Sequence, residues 1–279
     1  MSAWLGSVLF VIGTWWCTTG AILFLDRLPV HTFRWSLAAA TVALVAALFA
    51  LDWSSATATA GGTYVGFAAA VLVWAWLEMT FLMGALTGPR RRACHSGCSG
   101  WRHFGHAVQA ILYHELATLA ALALVAALCW QAANPYGLWT FLLLWGMRLS
   151  AKLNLFFGVP NVAEPMLPPH LKYLASFFRQ RAMNPLFPLS VTLATVLSVW
   201  LVHEAWRLRG NGFHGTGMTL LATLSVLAFQ ARSASEEFLA VAEVSTGAVG
   251  AWVSTGGAAA TVTVTLAVEL PAVLVAVSV

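Results

Sequence analysis

Apolar segments of about twenty residues recur along this chain. That is the length an α-helix needs to cross a hydrocarbon layer of about 30 Å at about 1.5 Å per residue. The segments cover residues 3–25, 35–51, 64–87, 105–130, 137–158, 186–206 and, more weakly, 212–231. Only 9% of the 279 residues are charged and 60% are hydrophobic, whereas a soluble domain carries about 25% charged residues. The fold class expected is therefore all-α: a polytopic membrane helical bundle of about seven spans, with room for an eighth. The formal net charge of +4 suits Arg- and Lys-enriched cytoplasmic loops rather than a nucleic-acid partner; the bilayer is the partner implied. The amino terminus lacks a basic region ahead of its apolar run, so residues 1–25 read as a retained span rather than a cleaved signal.

Basic residues set the orientation. The first, third and fifth connections hold Arg27 and Arg34; Arg90, Arg91, Arg92 and Arg102; and Lys172, Arg179 and Arg181. The second and fourth hold none, and only the sixth, with Arg207 and Arg209, dissents. The odd connections are therefore expected in the cytoplasm and the amino terminus in the periplasm. In the fifth connection, residues 170–182 lie between Pro168-Pro169 and Asn184-Pro185, with Leu171, Leu174, Ala175 and Phe178 on one stripe. An amphipathic helix on the cytoplasmic membrane surface is expected there. Residues 1–231 form the helical membrane domain, and 232–279, dominated by Ala, Val, Thr, Ser and Gly, read as an atypical tail, disordered or forming an extra span.

The fifth span breaks the apolar pattern. Arg148 and Lys152 lie one helical turn apart on one face, and Asn154 follows. A charge near the middle of a span costs about 2.5–3.5 kcal/mol on the lenient insertion scale unless it is paired or wet. Glu78 in span three and Glu115 in span four each lie about ten residues, or about 15 Å, from the same side, so two anions and two cations reach similar depth. Mutual neutralisation is one reading and a ligand or proton site another; Lys152 reaching the headgroups, with Arg148 alone needing a partner, is a third. His114, beside Glu115, is either hydrogen-bonded within the bundle or an axial ligand to a tetrapyrrole metal. The intramembrane polar cluster is thus Glu78, His114, Glu115, Arg148, Lys152 and Asn154, with Pro160 and Asn161 as the loop motif that closes the span.

Two other groups carry less. His203 beside Glu204 lies near the outer end of span six. Cys94-His95-x-x-Cys98, followed by His103 and His106, has the residue types for zinc, but its spacing follows no finger pattern and its setting is rich in Gly and Arg. A mobile surface loop without metal is expected there. Eight scattered histidines do not supply the clustered boxes of a membrane di-iron oxygenase, and no catalytic motif of a hydrolase, nucleotide-binding or dinucleotide-binding fold occurs.

Several motifs together resemble one family. They are Trp15-Trp16-x-x-Thr19-Gly20, Trp74-x-Trp76-x-Glu78 running on to Thr87-Gly88-Pro89, Tyr113-His114-Glu115, Trp139-Thr140-Phe141, Met147-Arg148-x-Ser150-Ala151-Lys152-Leu153-Asn154, Gly158-Val159-Pro160-Asn161 and Asn184-Pro185-Leu186-Phe187-Pro188. Over about residues 3–228 the chain resembles the PuhE-type photosynthetic complex assembly proteins of purple photosynthetic bacteria, and departs from them after Ala228. The resemblance implies an assembly factor for reaction centre and light-harvesting complexes, with an influence on bacteriochlorophyll supply or delivery. It implies those subunits or other assembly factors as partners, and bacteriochlorophyll or a related tetrapyrrole as the ligand. It carries no catalytic residues. The alternative is a membrane enzyme or transporter acting on a bacteriochlorophyll precursor.

Overall fold

The computed structural model describes residues 3–95, 97–159, 167–181 and 184–245, with side chains through residue 228. Pro160 and Asn161 lie outside the described residues, as does the tail from residue 246 onward. The described chain is all-α, in seven helices: α1 (Ala3–Asp26), α2 (Phe33–Ser55), α3 (Ala60–Leu82), α4 (Gly100–Leu128), α5 (Tyr136–Phe157), α6 (Leu186–Arg207) and α7 (Gly212–Ser245). Five of them, α1, α2, α3, α4 and α6, are long and apolar enough to cross a membrane. The surface is that of a membrane helical bundle. Leu9, Phe24, Val42, Phe49, Leu116, Leu193 and Val199 face outward, and the exposed Trp4, Trp35, Trp53, Trp101, Trp130 and Trp206 sit at helix ends, as aromatic belts do.

α3 is the axis of the bundle. Its apolar window is 61% buried, against 11–17% for the other four spans. Thr59 starts it by accepting the Gly62 N–H at 3.1 Å on its hydroxyl. Phe67, Val71, Val73 and Leu77 of α3 pack against Leu51, Val125, Phe141 and Leu144 from its neighbours. Where α3 crosses α5, glycines permit the approach: a Cβ on Gly137 would stand 2.4 Å from Leu51 and 3.2 Å from the Gly66 carbonyl oxygen. Without a hydrophobic drive between helices in lipid, such close van der Waals contact is a principal source of association.

The connections sort onto two ends. At one, the Asn134 amide donates to the Ser54 carbonyl at 3.0 Å, and the Tyr136 hydroxyl lies 3.0 Å from His214 Nδ1, joining the second, fourth and sixth connections. At the other, His170 Nε2 donates to the Leu82 carbonyl at 2.7 Å and its ring meets Phe33, while the Cys94 N–H donates to Ser176 Oγ at 2.9 Å. The Arg-rich connections thus share one face.

Three elements differ from their sequence expectation, and one of them is α7, which runs past residue 231 to Ser245. The amphipathic segment is a 3₁₀ helix, Pro169–Phe177, and Phe178 is already extended. A 3₁₀ winding aligns every third residue, so Leu171, Leu174 and Phe177 point together onto Phe81 and Ala110 of the bundle. The chain stops short of residue 182 because its continuation closes α5. The Arg179 N–H donates to the Leu155 carbonyl, the Val159 N–H to Arg179, and the Arg181 N–H back to Val159, each at 3.0–3.1 Å.

The third difference is the end of α3. It closes at Leu82 rather than residue 87, because Gly84 turns left-handed at φ +75° and the Ala85 and Leu86 N–H groups both bond the Thr80 carbonyl. The chain then runs back along α4. The Thr87 carbonyl accepts the His114 N–H at 3.1 Å, and a Cβ on Gly88 would lie 2.0 Å from the Gln109 carbonyl oxygen.

Candidate functional site

The early end of α3 changes the position of Glu78 along its helix. Glu78 is four residues from Leu82, so it sits about 6 Å from the end of the helix. Its neighbours lie deeper in theirs: Glu115 stands about midway along α4 and Arg148 about midway along α5.

Two ion pairs form it. Arg148 Nη2 donates to Glu78 Oε2 at 2.8 Å, linking α5 to α3, with the side chains 12% and 13% exposed. Lys152 Nζ donates to Glu115 Oε1 at 2.5 Å, linking α5 to α4, with 20% and 27% exposed. The one-turn spacing of the cations on α5 lets a single helix face two carboxylates on different neighbours. Arg148 Nε and Glu78 Oε1 are buried without a hydrogen-bond partner among the described residues. Beside them lies a cavity of about 90 Å³ whose wall includes Thr18, Thr19, Trp74 and Met147, room for several waters at about 10–15 Å³ each.

On the other side of the pairs is a larger, apolar cavity of about 280 Å³. Phe81 comes from α3, Phe104, Ala107, Val108 and Ile111 from α4, Leu149, Leu153 and Phe156 from α5, and Leu174 and Phe177 from the 3₁₀ helix. Arg148, Lys152 and Glu115 provide its polar part. The arrangement can hold an apolar tail or ring edge against a short charged base. His114 is buried against Phe81, ring centroids 4.6 Å apart, and neither ring nitrogen has a partner among the described residues. His103 is likewise buried, stacked on Phe156 at 5.4 Å and beside Phe177 of the 3₁₀ helix, with ring centroids 5.7 Å apart.

Asn154 belongs to a different group. Its amide donates to Ser190 Oγ at 3.0 Å and to the Ser150 carbonyl, while its own oxygen accepts from Asn184 Nδ2 at 3.2 Å. Asn184 also donates to the Gly158 carbonyl at 2.6 Å and accepts the Leu186 and Phe187 N–H groups, capping α6. Sequence reasoning did not single out Asn184 as a site residue, although an Asn-Pro pair ahead of an apolar run is an N-cap signature. His203 takes no part in either group, and Glu204 pairs with the exposed Arg207.

In the third connection, where a mobile loop was expected, the Cys94 N–H bonds Ser176 Oγ and three side chains meet. Cys94 Sγ and Cys98 Sγ lie 3.5 and 3.3 Å from His106 Nδ1. His95 and His103 stand outside this group of three. Burial and the neighbouring Cys98 thiol push the Cys94 thiol above its ordinary value.

Fold and site together define a polytopic α-helical membrane protein with paired charges between its helices. Residues 1–253 match the DUF3623 family, described as proteins of unknown function, and the chain belongs to that family. It is similar to an uncharacterized 30.4 kDa protein in the puhA 5′ region of Rhodobacter capsulatus, 38% identical over 224 residues, which cover 79% of this chain and 81% of the relative. No solved structure matches.

Proposed function

We propose that this protein is an assembly factor for the photosynthetic apparatus, acting in the cytoplasmic or intracytoplasmic membrane with its amino terminus in the periplasm, and that it influences bacteriochlorophyll supply or delivery. The observation that carries the reading is the apolar cavity that ends on Lys152, Glu115 and Arg148. At about 280 Å³ it falls just below the usual range of about 300–1,000 Å³ for small-molecule sites. It suits the tail or one edge of an amphiphile, not a whole tetrapyrrole with its tail, which fits transient handling better than permanent storage. The PuhE-type motifs support the photosynthetic assignment, and the relative located 5′ of puhA agrees with that context. Reaction centre or antenna subunits, or other assembly factors, are the partners this reading requires.

A second reading, a membrane enzyme or transporter for a pigment precursor, is favoured by one observation: a Lys–Glu pair in a largely apolar cavity can carry a proton. Deletion of the gene in a pigmented host separates the two. An assembly factor leaves pigment synthesis running while assembled reaction centre and antenna complexes fall or free bacteriochlorophyll changes. A required catalyst leaves one defined precursor accumulated, restored by the wild type but by neither Glu115→Gln nor Lys152→Met. Normal complexes with normal pigment defeat both readings.

A further inference from the structure

The connection from α3 to α4 brings three soft donors to one point. Cys94 and Cys98 are free thiols, and with His106 Nδ1 their donor atoms all lie within 4.8 Å of one another. A tetrahedral zinc ion with bonds of about 2.3 Å to sulfur and about 2.05 Å to nitrogen requires S···N edges of about 3.6 Å. The two S···N separations here are 3.5 and 3.3 Å, so the ligands stand close to coordination geometry already. We propose that Cys94, Cys98 and His106 bind a thiophilic divalent metal ion, zinc by its chemistry, with the fourth position left to solvent.

The surroundings fit such a site. The Cys98 N–H bonds the His95 carbonyl at 3.0 Å, turning the loop so that both sulfurs face His106, and Gly97 at φ +89° permits the turn. His106 lies on the second turn of α4 and so holds its ring on a rigid support. Two thiolates neutralise a divalent cation, so the centre carries no net charge beside Arg90, whose side chain is tied to the Ala93 carbonyl. Binding displaces two thiol protons to solvent and changes no oxidation state. The Cys94 N–H is held by Ser176 of the 3₁₀ helix, and that helix supplies Leu174 and Phe177 to the apolar cavity. The ion therefore pins the Arg-rich loop to α4 and, through Ser176, steadies one wall of the cavity. No redox or hydrolytic step is assigned to it.

Cobalt tests this directly. Full-length protein in detergent, reduced and stripped with a chelator, is titrated with Co²⁺. One equivalent should produce a thiolate-to-cobalt charge-transfer band with tetrahedral ligand-field absorption, displaced by Zn²⁺. Cys94→Ser, Cys98→Ser and His106→Asn should lose the band, while Cys17→Ser and Cys129→Ser keep it. Should the loop variants fold poorly, the wild type alone still decides: Zn²⁺ should slow alkylation of Cys94 and Cys98, read by peptide mass, and leave Cys17 unaffected. Absence of the band, its survival in Cys94→Ser, or alkylation of both loop cysteines indifferent to zinc overturns the site.

Discussion

Arg148→Leu removes the cation of the better-buried pair and leaves Glu78 facing α5 without compensation. Two estimates of the cost converge. Charge centres about 4 Å apart at an effective dielectric of about 20 attract by about 4 kcal/mol. Breaking one side of a buried pair costs about 3–5 kcal/mol, largely from the stranded partner. Glu78 lies only about a turn from the end of α3 and adjoins a cavity able to take water, so the lower end, about 3 kcal/mol, is expected. The Lys152–Glu115 pair is about twice as exposed, so Lys152→Met should cost less. The assay is unfolding in mixed micelles by increasing dodecyl sulfate, followed by tryptophan fluorescence. A Glu78→Gln partner completes the cycle. Once Arg148 is gone, adding Glu78→Gln removes the stranded charge, so the double variant should be more stable than Arg148→Leu alone. If Arg148→Leu unfolds as the wild type does, or the cycle shows no coupling, the pair contributes nothing to the fold and the energetic argument fails.

Three further outcomes are expected. Gly88→Ala pushes a methyl into the Gln109 carbonyl and should cost about 3 kcal/mol, the upper end of overpacking, whereas Gly105→Ala, with nothing within 4 Å, should be neutral or stabilise by up to about 1 kcal/mol; accumulation and micellar unfolding report both. Asn184→Leu should cost about 1–2 kcal/mol for the lost α6 cap and a similar amount for the Gly158 and Asn154 oxygens left without their donor, with Asn184→Asp recovering the cap alone. For orientation, single cysteines at Arg91 and Ala133 are treated with a membrane-impermeant maleimide in intact cells: Ala133→Cys should react at once and Arg91→Cys only after permeabilisation, and the reverse would invert the assigned topology.

Much of the architecture was written locally. Span-length apolar runs force helices wherever they lie in a membrane, since each backbone group must be bonded within its own segment, so the seven helices and the clustering of Arg-rich connections follow from the linear order of residues. The identity of the cations on α5 was also legible, because one-turn spacing is a property of the helix alone. What the linear order could not supply is which groups meet. The pairing of Arg148 with Glu78 and of Lys152 with Glu115 depends on how α3, α4 and α5 rotate about their axes, and apolar residues all round those helices leave the rotation undetermined. The position of Glu78 near its helix end depended on Gly84, whose left-handed turn ends α3 early. The early stop of the 3₁₀ helix at Phe177 came from the bonding of Arg179 and Arg181 to the α5 terminus, a tertiary requirement invisible to an amphipathic pattern. Cys94, Cys98 and His106 follow no recognisable spacing because the third ligand is delivered by a helix rather than by the loop itself. Periodicity and composition along the chain suffice for a membrane bundle and for the residues that carry charge within it. The partners of those charges and the cavity between them arise from side-chain contact across helices, which no pattern along one helix encodes.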